Sequence, residues 1–324
     1  MTTVLDALAD HERELLRRAA APERAELMKA VLTENRFSDP DWIFERKLDG
    51  IRCMAVRTGD RVRMLSRNNL DLGARFPELI PRLRAEACDN YAVDGEIVAF
   101  EGSTTSFARL AQRARRPVKV FYYVFDVLWL DGSDVRALPL LTRKRLLRSA
   151  LSSDGALRIT PHRNRAGEVA FEQACRRGWE GLVAKRAQSP YTASRSRDWL
   201  KLKCAQGQEL VIGGYTPPRG SRSDFGALLV GHYADGELRY AGKVGTGFDH
   251  QTLKALGERL RAARSSSSPF ADPSEIRERG AHWVEPKLVA QVAFTEWTVH
   301  GRLRHPSFLG LREDKPAREV VRER

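Results

Sequence analysis

Short runs of apolar, β-prone residues recur along residues 42–66, as WIFERK, IRCMAV and RVRMLS, with DG and TGD turn signals between them. Such runs bounded by turn signals predict strands, in which successive side chains point to opposite faces. YAVDGEIVAF (91–100), VKVFYYVFDVLWL (118–130), GLVAKR (181–186) and DWLKLK (198–203) predict further strands. Helical spacing governs residues 75–85, where Phe76, Leu79, Ile80 and Leu83 recur every three or four positions, and TRKRLLRSAL (142–151) and EVAFEQACRRG (168–178) repeat it. Residues 3–20 predict an amphipathic helix carrying Leu5, Leu8, Leu15 and Leu16 on one face, interrupted by Pro22.

The texture changes after about Cys204. ELVIGGY (209–215), GALLVGHY (226–233), LRYAGKV (238–244) and VAQVAFTEW (289–297) are short strands with glycine-rich turns, joined by one helix, TLKALGERLRAAR (252–264), and a linker, SSSSP (265–269). Short strands with one helix suit a small barrel such as an oligonucleotide-binding (OB) fold. The pattern therefore predicts a helical N-terminal segment (1–24), an α+β domain with antiparallel sheets (25–204) and an all-β barrel (205–324).

The 324 residues suffice for two cores, with 42% hydrophobic residues, 30% charged residues and a net charge of +13. Arginines recur along the whole chain, so the excess charge points to a nucleic acid or polyphosphate partner. No apolar run is long enough to span a membrane, and the N-terminus lacks the pattern of a secretory signal. Cys53, Cys88, Cys175 and Cys204 are far apart, form no CxxC pair and suggest neither zinc nor a disulfide framework, which favours a reducing cytosol. GELRYAGKV (236–244) misses phosphate-loop spacing, and His300 and His305 have no nearby cysteine pair, so they read as surface residues.

What remains is a set of charges set into β-prone segments: Lys47, Asp49, Asp94, Glu96, Glu180, Lys185, Lys201 and Lys203. Residues two apart on a strand share a face, so Lys201 points with Lys203 and Asp94 with Glu96. Paired cations suit a nucleotide phosphate, and paired carboxylates suit Mg²⁺. A lysine amine is a nucleophile only when neutral, which at pH 7 holds for roughly one free lysine in a thousand. Neighbouring cations raise that fraction.

KLDGIR (47–52) resembles the KxDGxR signature of the covalent nucleotidyltransferases, which comprise ATP-dependent DNA ligases, RNA ligases and mRNA capping enzymes. Further family-like motifs follow in order: SRN (66–68), VDGEIVAF (93–100), YVFDVLWLDG (123–132), EGLVAKR (180–186) and WLKLK (199–203). GKVGTGF (242–248) and FTEWTVHGRLRHPSFLGLREDKP (294–316) are similar to the ligase module of bacterial end-joining polymerase–ligase proteins. The resemblance covers residues 25–318, includes no polymerase or nuclease module, and implies a nucleotidyltransferase (ATP-grasp-like) domain followed by an OB-fold barrel.

By that resemblance Lys47 is the nucleophile that takes AMP from ATP, and the backbone at Glu45 contacts adenine. Asp49 engages nick or metal. Arg52 and Arg67 hold ribose, phosphates or the 5′-phosphate. Glu96 contacts ribose or metal, Phe125 stacks on adenine, and Glu180 coordinates metal. Lys201 and Lys203 act on the α-phosphate, with Lys185 in support or in a surface salt bridge. Arg312, Asp314 and Lys315 resemble an RxDK element that orients pyrophosphate, and a hinge near 204–208 closes and reopens the two domains. The implied cofactors are ATP and Mg²⁺ or Mn²⁺. The implied function is sealing of 3′-hydroxyl/5′-phosphate nicks through lysyl-AMP and a DNA-adenylate, in end joining or excision repair. The implied partners are nicked double-stranded DNA and Ku or other repair proteins, for a monomer without membrane attachment in the bacterial cytosol. An RNA-joining or capping enzyme would share the first domain. A non-catalytic nucleic-acid-binding protein would need only the barrel and the charge, and a nucleotide-binding regulator would lack the transfer step.

Overall fold

The β-prone runs become two sheets that face each other across a shared apolar cluster. The computed structural model describes residues 4–114, 117–204, 206–218 and 223–323. The chain divides into two units, Met1–Cys204 and Ala205–Arg324. In the first unit the chain runs β1 (Lys29–Leu32), β2 (Trp42–Lys47), β3 (Ile51–Thr58), β4 (Arg61–Ser66), α1 (Leu79–Arg84), β5 (Asn90–Glu101), α2 (Phe107–Ala111) and β6 (Val120–Leu130). It continues through α3 (Leu140–Ala150), β7 (Leu157–Ile159), β8 (His162–Asn164), α4 (Gly167–Arg176), β9 (Gly181–Arg186) and β10 (Arg195–Lys203). The larger sheet has β6, β5, β3 and β4 side by side, antiparallel, with β7 added in parallel. The smaller has the order β8-β2-β9-β10-β1, antiparallel except where β1 joins β10.

One face of the larger sheet buries Ile51, Cys53, Ala55, Tyr91, Val93, Ile97 and Val124 in the main core, against Phe76, Leu79, Leu83, Phe107, Leu146 and Leu147. Met54, Val56, Ala92, Phe125, Leu128 and Trp129 lie in a second cluster with Tyr191 and Trp199 of the smaller sheet's side. Two irregularities in the β5–β6 pairing produce this sorting: the partners step from Trp129 to Val127 and from Asp126 to Val124. Leu128 and Phe125 are the extra residues, and a bulge re-aims a side chain in this way.

Residues 4–18 do not form the expected single helix. Val4–Ala7 is one 3₁₀ turn, Asp10–Arg13 one α-turn, and Arg17–Arg18 pairs with Ser133–Asp134. Ala9 between the turns is extended, with φ −69 and ψ 157. Tertiary contacts override the helical pattern. Leu8 enters the main core, and Glu12 accepts hydrogen bonds from Thr142 Oγ1 (2.5 Å) and Arg145 Nη2 (2.7 Å) of α3. The helix expected over 75–85 shortens to α1, with Phe76 packing from the preceding turn.

Contrary to the sequence expectation, two cysteines pair: Cys175 at the end of α4 and Cys204 just past β10 form a disulfide across 29 residues. Packing of α4 on the smaller sheet brings their Cα atoms to 5.1 Å, which no spacing rule could show. The cysteine pattern therefore gives no argument for a reducing compartment. Cys53 and Cys88 are buried thiols.

The second unit contains β11 (Gln206–Tyr215), β12 (Leu228–Ala234), β13 (Glu237–Val244), α5 (His250–Ala262), β14 (His282–Val284), β15 (Val289–Phe294) and β16 (Ser307–Leu311). β11 pairs with β12, β14 and β15, β12 with β13, and β15 with β16. The Phe308 N–H donates to Thr246 O (2.9 Å), just beyond β13, so the sheet curls back on itself. α5 is capped by Asp249, which accepts from the Thr252 N–H, and buries Leu253, Leu256 and Leu260. At the start of the SSSSP stretch Arg264–Ser265 pairs with β14, and just beyond it Phe270 is buried beside Val211, Leu238 and Tyr240. Of the hinge expected at 204–208, Ala205 lies outside the described residues.

Candidate active site

Register fixes the site. Lys47 at the end of β2 stands opposite Gly181 of β9, and Gly181 stands opposite Lys203 of β10. The next row on the same face is Glu45, Val183 and Lys201. Lys47 and Lys203 are thus two strands apart, roughly 10 Å between backbones, with no side chain between them. Gly181 has φ +151, and a Cβ there would meet Leu202 O at 1.9 Å. The alternate residues Trp42, Phe44, Leu182, Ala184 and Leu202 form the opposite face and pack against Ala170, Phe171 and Ala174 of α4.

Lys47 Nζ donates to Glu180 Oε1, and both side chains are partly exposed, at 20% and 25%. Glu180 Oε2 is buried without a hydrogen-bond partner.

Below the Lys47 row lies a buried triad that sequence reading did not foresee. Glu45 holds Lys144 of α3 on one oxygen and Lys185 of β9 on the other, the latter at 2.7 Å. Burial pushes the Glu45 carboxyl up, and the two ammonium charges outweigh that and hold it below the usual range. Burial pulls Lys185 down to about 8, although Glu45 opposes the shift. Lys185 Nζ also lies 3.8 Å from the Trp199 ring centroid and 4.3 Å from that of Phe125. With 2% of its side chain exposed, Lys185 makes a buried ion pair and not a surface salt bridge, because β9 is a central strand of its sheet.

Across the cleft, Arg52 of β3 grips Asp94 of β5 with Nε on Oδ1 and Nη2 on Oδ2, both at 2.6 Å. Tyr191 OH donates to the same carboxylate at 2.7 Å. Burial lowers the Arg52 pKa, and Asp94 more than restores it, so the guanidinium stays charged. Asp94 is fully buried in this bidentate pair, so the expected Asp94–Glu96 metal pair does not form. Glu96 stands opposite Arg52 on the cleft face. Arg52 lies 4.6 Å from the Phe125 ring, which is only 8% exposed.

Asp49, on the loop after Lys47, reaches the start of α2. Its carboxylate accepts from the Phe107 N–H at the start of α2 (2.9 Å), and its own N–H donates to Thr105 Oγ1 (3.1 Å). That places it as a tether of the β2–β3 loop. Arg67 follows β4 in a turn closed by Asn69 N–H on Ser66 O (2.9 Å). In the second unit Arg312 forms a bidentate pair with Asp314 (2.9 and 2.8 Å), and Lys315 donates to Glu209 of β11 (3.0 Å). Glu209 had no sequence signal as a partner, since it lies 106 residues from Lys315.

Among the described residues no group of three or more His, Cys, Asp and Glu side chains converges as a metal site. Magnesium commonly binds through one or two carboxylates together with substrate phosphates. Glu180, with one oxygen on Lys47 and one unpartnered, fits that requirement, and Glu96 is the second candidate.

A family model described as ATP dependent DNA ligase domain matches residues 22–203, and one described as ATP dependent DNA ligase C terminal region matches 221–315. The chain is 39% identical over 293 residues to the multifunctional non-homologous end joining protein LigD of Pseudomonas aeruginosa, over 88% of this chain and 35% of that protein. Its identity to the corresponding LigD repair protein of Mycobacterium tuberculosis is 38% over 287 residues, covering 87% and 37%. The chain thus spans little more than a third of the length of these curated relatives. A solved structure of mycobacterial DNA ligase D complexed with ATP and MES matches with a TM-score of 0.66 at 35% identity, covering 92% of this chain and 98% of that one.

Proposed function

Because the chain belongs to the ATP-dependent DNA ligase family, we propose that it seals nicks in duplex DNA, with Lys47 as the amine that carries AMP. The observation that carries this reading is the row Lys47–Gly181–Lys203, with Glu180 on the Lys47 amine. Lys201 and Lys203 offset the charge that builds on an attacked phosphate. The amine forms a P–N bond to the α-phosphorus of ATP, and the bond to pyrophosphate breaks. AMP then passes to the 5′-phosphate at the nick, and the 3′-hydroxyl displaces it.

Phe125 and the backbone at Glu45 serve adenine, and Arg52, Arg67 and Glu96 serve ribose, phosphate or the nick. Lys185 and Lys144 hold Glu45, and through it β2, in place. Asp49 acts by tethering the loop after Lys47. Glu180 and Glu96 are the residues that would hold Mg²⁺ or Mn²⁺, which supplies positive charge against phosphate oxygens. Arg312 and Lys315 take pyrophosphate, with Asp314 orienting Arg312. The names of the relatives support extending the reading to non-homologous end joining. Ku as a partner, a monomeric state and a cytosolic location are parts of the proposal carried by the resemblance of the sequence alone.

The test is to mix the protein with ATP, Mg²⁺ and a singly nicked duplex, and to read intact mass and gel-resolved joining together. We expect one added AMP and a joined strand. Covalent labelling of Lys47→Ala would sink the assignment, and a preference for GTP or RNA nicks would move it to the capping enzymes or RNA ligases.

A further inference from the structure

Buried arginines of the first unit generally meet a carboxylate: Arg52 meets Asp94, Arg57 meets Asp89 and Arg143 meets Asp126. Arg46, between Glu45 and Lys47 but pointing to the other face of β2, does not. Its Nη2 donates to Ser103 O (3.2 Å), and its Nε is buried without a hydrogen-bond partner. Its guanidinium carbon lies 4.5 Å from the Trp179 ring and 5.7 Å from Phe100. Arg177 lies 5.5 Å from the same indole. Lys119 Nζ lies 5.2 Å from Phe121, and Phe121 meets Phe100 at 5.5 Å between ring centroids. Among the described residues none of these three cations has a carboxylate in an ion pair. Phe100, Phe121, Tyr123 and Trp179 are all partly exposed.

The strands explain the row. Glu96 stands opposite Tyr123 and Val98 opposite Phe121, so Phe100, Phe121 and Tyr123 continue the Glu96 face of the larger sheet outward. Glu101 points to the other side by the same alternation. Three cations set on aromatic rings, two of them on one indole, repel each other, and burial of Arg46 lowers its pKa. An anion arriving there relieves the repulsion.

We propose that Arg46, Arg177 and Lys119, seated on Trp179, Phe100 and Phe121, form a docking strip for the sugar–phosphate backbone of the DNA beside the nick. The inference rests on the ligase reading above. Sequence adjacency supports this occupant: Arg46 precedes Lys47, and Trp179 precedes Glu180. Cations lie over the rings, which leaves ring edges to pack on sugars and guanidiniums to meet phosphates, a sequence-blind mode of contact.

The test uses the full chain with a fluorescently labelled nicked duplex, titrated over a range of salt, and with AMP labelling in the absence of DNA. Arg46→Ala, Arg177→Ala and Lys119→Ala should each bind about tenfold more weakly and lower the slope of log affinity against log salt by about one. Arg46→Lys should keep the slope. Labelling with AMP should stay within about twofold of wild type. Unchanged affinity and slope in all three alanine variants, with labelling intact, would overturn the strip and leave the ligase reading standing. Absence of labelling in the wild-type protein would overturn the ligase reading instead. If Arg46→Ala loses labelling through its neighbour Lys47, then Lys119→Ala, remote in sequence, decides the matter by the same slope.

Discussion

Alternate residues of the same three strands, β2, β9 and β10, make two unlike surfaces. Trp42, Phe44, Leu182, Ala184 and Leu202 close against α4, while Glu45, Lys47, Lys185, Lys201 and Lys203 face the cleft. A slip of one residue would exchange the two sets, so burial of the apolar face holds the lysines in register. The chemistry of one side depends on the stability of the other, and substitutions should separate the two roles.

The largest contrast is at Lys47. Lys47→Ala should abolish AMP labelling, read by intact mass, and leave the denaturant midpoint near that of wild type, since the side chain is partly exposed. Phe44→Ala, one face away, should do the reverse. It should cost about 3–5 kcal/mol in urea unfolding, with labelling retained at low temperature, and a cost under about 1 kcal/mol would break the comparison.

A smaller effect sharpens the charged side. Burial holds the Lys185 ammonium at about 8, below the ordinary value near 10.4. Between those pH values the unfolded chain keeps a proton that the native state has released. Native stability should therefore rise with pH in that window, and the gain is absent below it. The stability difference between wild type and Lys185→Met should grow in favour of wild type by about 1 kcal/mol per pH unit from pH 8 to 10. A constant difference would mean that Lys185 is not desolvated. The smallest effect is expected in the second unit, where the exposed pair Lys243–Glu278 (2.6 Å) lies outside either surface. Lys243→Ala should change stability by less than about 1 kcal/mol.

Much of the site was legible because strand alternation is local. It placed Lys201 with Lys203, and Asp94 with Glu96, before any partner was known. It could not show that Asp94 is consumed by Arg52 and Tyr191, because Tyr191 comes from 97 residues away. Nor could it show Lys144, which reads as one more helix charge in TRKRLLRSAL and is fully buried on Glu45, 99 residues distant. Asp49 stands two residues from the proposed nucleophile in sequence, and its carboxylate serves the start of α2.

The N-terminal segment makes the same point in reverse. Leu5, Leu8, Leu15 and Leu16 have helical spacing, yet the chain breaks at Ala9 because Leu8 and Glu12 gain more from the core and α3 than from one continuous helix. By itself the sequence determined which residues carry charge on which side of each strand, and the order of the motifs, since both follow from neighbours along the chain. The tertiary structure decided which charges remain available and which are buried in pairs, and which cysteines meet. Those depend on segments a hundred residues apart, whose approach is set by packing.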